Sequence, residues 1–188
     1  MTRGSAVDAL THNIAGLLGE PYGSSRSFDI TGVVLDLGPD LRQATPISGT
    51  VHVGRTNRGV VVTARLATSL AAQCSRCLRD IDVPIAVALT EEVLPSVDIA
   101  TGLPLDAAAE PDAARLTDHH ELELEPLVRE AVQLAEPIAP LCRQDCPGLC
   151  IVCGEELATG AHEHGEAPID PRLEALRGFR VDGGPETE

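Results

Sequence analysis

The chain has 188 residues and a formal net charge of −15, with only 2% aromatic residues, which suits one well-packed domain with appendages and not two large ones. Fourteen cations against 29 carboxylates disfavour binding by broad phosphate neutralisation, and so few aromatic rings leave no stacking platform for single-stranded RNA. Every cation is an arginine, since the sequence contains no lysine, so lysine Schiff-base chemistry and a phosphate-loop lysine are excluded.

At the N-terminus, Ser5-Ala-Val-Asp8 has the form of a helix cap with an acidic third residue. Val7, Leu10, Ile14, Leu17 and Leu18 follow at helical spacing before Gly19. This predicts an amphipathic helix and linker over 1–25. No basic region followed by an apolar run precedes it, and no stretch approaches the length of a membrane span. The expectation is a cytoplasmic protein without membrane association, whose six cysteines are thiols or metal thiolates rather than disulfides.

A β region is expected from residue 26 to 124. Phe28-Asp-Ile30 and Val33 to Leu37 begin it, before the Gly38-Pro39-Asp40 turn. Ile47 to Val53 and Val60 to Leu70 flank Arg55-Thr-Asn-Arg-Gly59, which has the chemistry of a hairpin turn. Ile81, Val83, Ile85, Val87 and Leu89 alternate with polar or small residues, the period of a half-buried strand. Pro84 within that run points to an edge or a bulge. If this strand pairs with the one before it, Cys74 to Arg79 is the tip of their hairpin. Residues 95–118, rich in Ala, Asp and Pro, read as a mobile acidic loop. Glu121 to Leu124 is a short strand candidate. Pro126, then Leu127, Val128, Ala131, Val132 and Leu134, describe a helix over 126–136, stopped by Pro137. A metal-binding segment over 140–165, a short helix over 170–177 and a disordered tail over 178–188 complete the chain. The fold class is therefore α+β: a largely antiparallel core, as a partly closed barrel or sandwich, then a helix and a zinc-organised C-terminal segment.

The chemistry lies in the cysteines. Cys74-Ser-Arg-Cys77 is one C-x2-C pair, and Cys142, Cys146, Cys150 and Cys153 follow at C-x3-C-x3-C-x2-C spacing. Paired thiolates on tight turns are the ligands of structural zinc. Cys150-Ile-Val-Cys153-Gly154 has the form of a zinc-ribbon knuckle, its Gly relieving the positive φ of the turn. Three closures are open: Cys74 with Cys77, Cys142 with Cys146, or His162 with His164. The last leaves Cys74, Cys77, Cys142 and Cys146 as a second, four-thiolate site, so one or two zinc ions are expected. Zinc here would be architecture, tying the hairpin to the C-terminal segment. His119-His120 has no partner at metal spacing. A redox role for Cys74 and Cys77 lacks the helix N-terminus that activates a dithiol, and no nucleophile elbow, phosphate cradle or metalloprotease helix is present. Arg55, Arg58, Arg76, Arg79 and Arg143 fall on turns and could form a local basic patch.

In order and spacing these features resemble the YceD family, the large ribosomal RNA subunit accumulation proteins. The resemblance covers roughly Ser27 to Leu176. It rests on Phe28-Asp-Ile30, Cys74-Ser-Arg-Cys77-Leu78, Leu122-x-Leu124, Pro140-Leu-Cys142 through Cys150-x-x-Cys153-Gly154, and Ile169-Asp-Pro-Arg172. It implies a non-enzymatic ribosome biogenesis factor that promotes accumulation of 23S rRNA and assembly of the large subunit. The implied partners are a large-subunit precursor, 23S rRNA or a basic large-subunit ribosomal protein, the last agreeing with the acidic charge. Where family members place a C-x-C pair, this chain has His162-Glu-His164, so imidazoles replace thiolates. The alternatives are a zinc-ribbon interaction adaptor acting elsewhere, for example in transcription, and a thiol redox sensor.

Overall fold

The computed structural model describes residues 9–108, 110–160, 163–164 and 171–176. In chain order its elements are β1 (Thr11–Asn13), the short helix α1 (Ala15–Leu18), β2 (Ser25–Val33), β3 (Arg42–Arg55), β4 (Val60–Gln73), β5 (Asp80–Leu94), β6 (Ala114–Arg115), β7 (Glu121–Glu123) and α2 (Glu125–Leu134). A 3-10 helix spans Pro171–Leu176.

β2 to β5 form an antiparallel meander, and β6 joins the end of β5 in parallel, giving a five-stranded sheet in the order β2-β3-β4-β5-β6. Its register follows from hydrophobic alternation. Val60, Val62, Ala64, Leu66 and Leu70 of β4 are all buried, and a slip of one residue would turn that whole set to solvent. The 56–59 turn closes β3 onto β4: Thr56 N donates to Gly59 O at 3.0 Å, and Thr56 Oγ1 accepts from Arg58 N and Gly59 N. Within β3, Gly49 has φ 151°, and a Cβ there would lie 2.1 Å from Arg65 O. Only glycine fits so close an approach of two backbones.

One face of the sheet carries the core. Ile30, Val51, Val53 and Val62 pack with Leu10, Ile14 and Leu17 of the N-terminal segment and with Leu124, Val128 and Val132 near α2. Each such side chain fully removed from water stabilises the fold by about 1.5–3 kcal/mol. α2 begins with Glu125 and Pro126 in its first turn and buries Val128 and Val132, one turn apart, as its sequence pattern predicts. Gln133 Nε2 donates to Leu37 O at 3.0 Å, fixing the helix to the loop after β2.

Three expectations change. The barrel or sandwich is instead an open sheet, because β2 lies at one end of the strand order and pairs only with β3. Residues 9–18 do not continue one amphipathic helix: Thr11–Asn13 form β1, paired antiparallel with β7, and Ile14 N donates to His120 O at 3.0 Å. Residues 1–8, where that helix was expected to start, lie outside the described residues. The acidic loop is tied down rather than loose, since Leu116 is buried in the core, its N–H donates to Leu94 O, and Arg58 pairs with Glu110 at 2.6 Å. Among the described residues no helix is long and apolar enough to cross a membrane.

Candidate metal centre

The β4–β5 hairpin ends in a turn whose geometry is set by backbone bonds: Cys74 N donates to Arg79 O at 2.8 Å and Leu78 N to Cys74 O at 2.9 Å. Leu78 takes φ 58° to complete it. The turn directs Cys74 and Cys77 inward, where both are buried.

The C-terminal segment comes back to this turn. Ser75 N donates to Pro140 O at 2.8 Å, Arg76 Nη1 donates to Cys146 O at 2.9 Å, and Arg79 pairs with Glu156 at 2.7 Å. Gly148, at φ 83°, lets the chain pass so near the turn that a Cβ would stand 3.1 Å from Arg76 O. These contacts bring Cys142 and Cys146 onto Cys74 and Cys77. The Sγ atoms of Cys74 and Cys146 are 3.8 Å apart and those of Cys77 and Cys142 3.7 Å, and all four lie within 4.8 Å of one another. A tetrahedral site with zinc–sulfur bonds of about 2.3 Å has sulfur–sulfur edges of about 3.8 Å. The four side chains therefore fit a tetrahedral thiolate-bound ion. Ile81, Leu141 and Leu149 pack around them, a dry setting that strengthens the electrostatics at the sulfurs.

The thiols are not equivalent. Backbone amides of Cys77 and then Cys142 donate to Cys74 and hold its pKa near 6, about the range of a ready ligand. The neighbouring Cys146 side chain, with burial, pushes Cys142 up to about 12. At Cys77 the Arg79 amide pulls downward, but burial and the adjoining thiols outweigh it and raise the pKa. Uncompensated, four thiols this close resist ionising together, and a divalent cation removes that conflict.

A second group stands beside the first. Cys150 N donates to Glu155 O at 2.8 Å and Gly154 N, at φ 76°, to Cys150 O at 2.9 Å, which is the knuckle expected from Cys150 to Gly154. Val152 N points at Cys150 Sγ at 3.4 Å. His164 Nε2 lies 3.2 Å from Cys150 Sγ, and the donor atoms of Cys150, Cys153 and His164 fall within 4.8 Å of one another. His162, the fourth candidate, lies outside the described residues. Of the three closures open in the sequence, the geometry gathers the eight candidates, His162 apart, as one four-cysteine group and one cysteine–histidine group.

The five arginines do not make one patch. Arg55 and Arg58 sit at the β3–β4 turn, and Arg76, Arg79 and Arg143 at the other end of β4, a strand that spans about 45 Å. Arg55 lies over Tyr22, 5.2 Å from the ring centroid, and Arg143 is 3.5 Å from Asp145. Arg76 works as a strut between turn and segment, and Glu156 as the anchor of Arg79; the sequence offered no signal for these roles, because each acts on a residue about seventy positions away.

With the geometry in hand, comparisons place the chain. An uncharacterized protein of Mycobacterium tuberculosis and another of Mycobacterium bovis are each 37% identical over 146 residues, covering 77% of this chain and 61% of theirs. An uncharacterized protein of Mycobacterium leprae is 29% identical over 146 residues, 76% of this chain and 63% of its own. The chain thus spans about three fifths of the length of the curated relatives it matches. No solved structure matches it. Residues 62–180, from β4 through both cysteine groups, match the family described as large ribosomal RNA subunit accumulation protein YceD. The chain belongs to the YceD family.

Proposed function

We propose that this protein serves the making of the large ribosomal subunit, promoting accumulation of 23S rRNA by holding a large-subunit ribosomal protein or the precursor RNA, without catalysing a reaction itself. The observation that carries this reading is the family match across residues 62–180, which includes six cysteines and the helix before the C-terminal segment. The charge of −15 favours a basic protein over naked RNA, since phosphate binding draws on clustered cations and a ribosomal protein supplies them on the partner. Both cysteine groups suit zinc, whose preference is for thiolate and imidazole donors in tetrahedral sets. Zinc in the four-cysteine group would lock the β4–β5 turn to the C-terminal segment. In this reading the protein acts in the cytoplasm, where ribosomes are made.

The test is fractionation. Tagged protein, followed through a sucrose gradient alongside rRNA precursors and ribosomal proteins, is expected to co-migrate with large-subunit precursors or with a free large-subunit protein. Absence from both, with recovery in polymerase or other complexes, would replace this reading with that of a zinc-ribbon adaptor.

A further inference from the structure

β5 has one free side. β4 covers its other side along the whole length, while β6 covers only Val93 and Leu94. Which residues face the free side follows from the ladder. Cys74 N donates to Arg79 O, next to the Gln73↔Asp80 pair, and hydrogen-bonded pairs alternate with non-bonded ones in an antiparallel ladder. The odd-numbered residues of β5 therefore bond to β4, and the even-numbered ones present N–H and C=O outward. Two observations agree: Leu94 accepts from Leu116 N on that side, and Pro84, with no N–H to offer, stands at an outward position. Beyond Pro84, Ala86, Ala88, Thr90 and Glu92 are left as an unsatisfied row among the described residues.

A groove runs beside this row. The groove, about 500 Å³, lies between Ala86–Glu91 and the Leu127, Ala131 and Leu134 stripe of α2. A separate hollow, about 760 Å³, lies over the near end of the sheet, between Ala71–Gln73, Asp80–Asp82 and residues 136–140 after the helix. Leu134 is 79% exposed and Ile138 fully so. The lining charges are mostly acidic: Glu91 and Glu130 in the groove, Asp40, Asp80, Asp82 and Glu136 in the hollow, with Arg42 the one cation lining either among the described residues.

An unpaired edge gives main-chain bonds, an adjoining apolar stripe takes alternate side chains, and an acidic rim selects the charge of the occupant. We propose that the groove between β5 and α2 takes up an extended, arginine- or lysine-rich segment of a ribosomal protein as an added strand, its alternate apolar side chains resting on Leu127, Ala131 and Leu134. This rests on the assembly role proposed above and names the kind of client and where it binds.

The test uses the whole protein, loaded with zinc, as wild type, Ala88→Pro and Leu134→Glu. Ala88→Pro removes an outward N–H and no bond to β4, and Leu134→Glu changes a side chain that is already exposed, so zinc content and melting temperature should match wild type in both. Each is mixed with the proteins extracted from purified large subunits. Wild type is expected to retain a basic ribosomal protein, both variants to hold it about tenfold or more weakly, and hydrogen exchange to slow over 86–92 in the complex. Equal retention by the variants, or protection elsewhere, would overturn the proposal. If wild type and both variants co-sediment equally with large-subunit precursors, the groove is wrong and the assembly role stands. If wild type is absent from them and retains no ribosomal protein, both readings fall.

Discussion

Replacing Cys74 and Cys77 together with serine should separate the hairpin turn from the C-terminal segment. The bridge through an ion joins residues 65 apart at the Cys77–Cys142 edge. Closing a loop of that length removes about 4 kcal/mol of chain entropy from the unfolded state. What remains without the ion is the Ser75–Pro140 bond, the Arg76–Cys146 bond and the solvent-exposed Arg79–Glu156 pair, and an exposed pair contributes little. At roughly 2–4 °C per kcal/mol for a domain of this size, the double variant should melt roughly 10–15 °C below wild type. Zinc per chain, measured by mass spectrometry under native conditions, should fall by one ion. Wild type stripped by a chelator should melt near the variant, which separates loss of the ion from loss of packing by the thiols. Unchanged melting and zinc content in the double variant would refute the clamp.

Cys150→Ser, by contrast, opens a group whose Cys150 and His164 are only 14 residues apart; it should release the local segment to proteolysis while leaving the main melting transition in place. Zinc affinity of the four-cysteine group should rise with pH, because Cys77 and Cys142, both raised, must each surrender a proton to bind, whereas Cys74 near 6 is already a thiolate at neutral pH. The two protons from Cys77 and Cys142 alone correspond to about a hundredfold or more per pH unit, read by chelator competition between about pH 6.5 and 7.5, and an affinity flat across that window would contradict the assignment of these thiols as ligands. Gly49→Ala should cost about 3 kcal/mol or more in denaturant unfolding, since its Cβ meets backbone at 2.1 Å. Gly16→Ala, in open space on α1, should be neutral or stabilising by up to about 1 kcal/mol.

What the sequence made legible was periodic or punctuated. The alternation from Ile81 to Leu89, the position of Pro84 and the Arg55–Gly59 turn each reflect a local rule, and each appears in β3 to β5. α2 was legible for the same reason. The N-terminal segment was not, because Leu10, Ile14 and Leu17 satisfy helical spacing equally well when the chain makes β1 between them, and that strand depends on β7, more than a hundred residues on. An open sheet and a closed one have the same alternation, so the fate of the edge strands was also hidden. At the candidate metal centre, the C-x2-C pairs pointed to metal binding, but three closures at different spacings were open: Cys74 with Cys77, Cys142 with Cys146, or His162 with His164. Ser75, Arg76 and Pro140, which bring one particular set together, stand inside the family motifs, but nothing in their spacing says that they contact one another across about seventy residues.

The four-cysteine group and α2 are joined by one short stretch of chain, residues 135–141. Pro140, whose carbonyl accepts from Ser75 N, lines the hollow at the start of β5, and Cys142 lies two residues beyond it. An ion held by Cys74, Cys77, Cys142 and Cys146 would therefore fix residues 136–140 against the start of β5 while α2, seated by Val128 and Val132, forms the wall of the groove. A zinc ion there would take no part in contacting the proposed client, yet it would set the position of the segment beyond α2. The short turn after α2 can then expose Ile138 without collapsing it onto β5, because its far end is tethered.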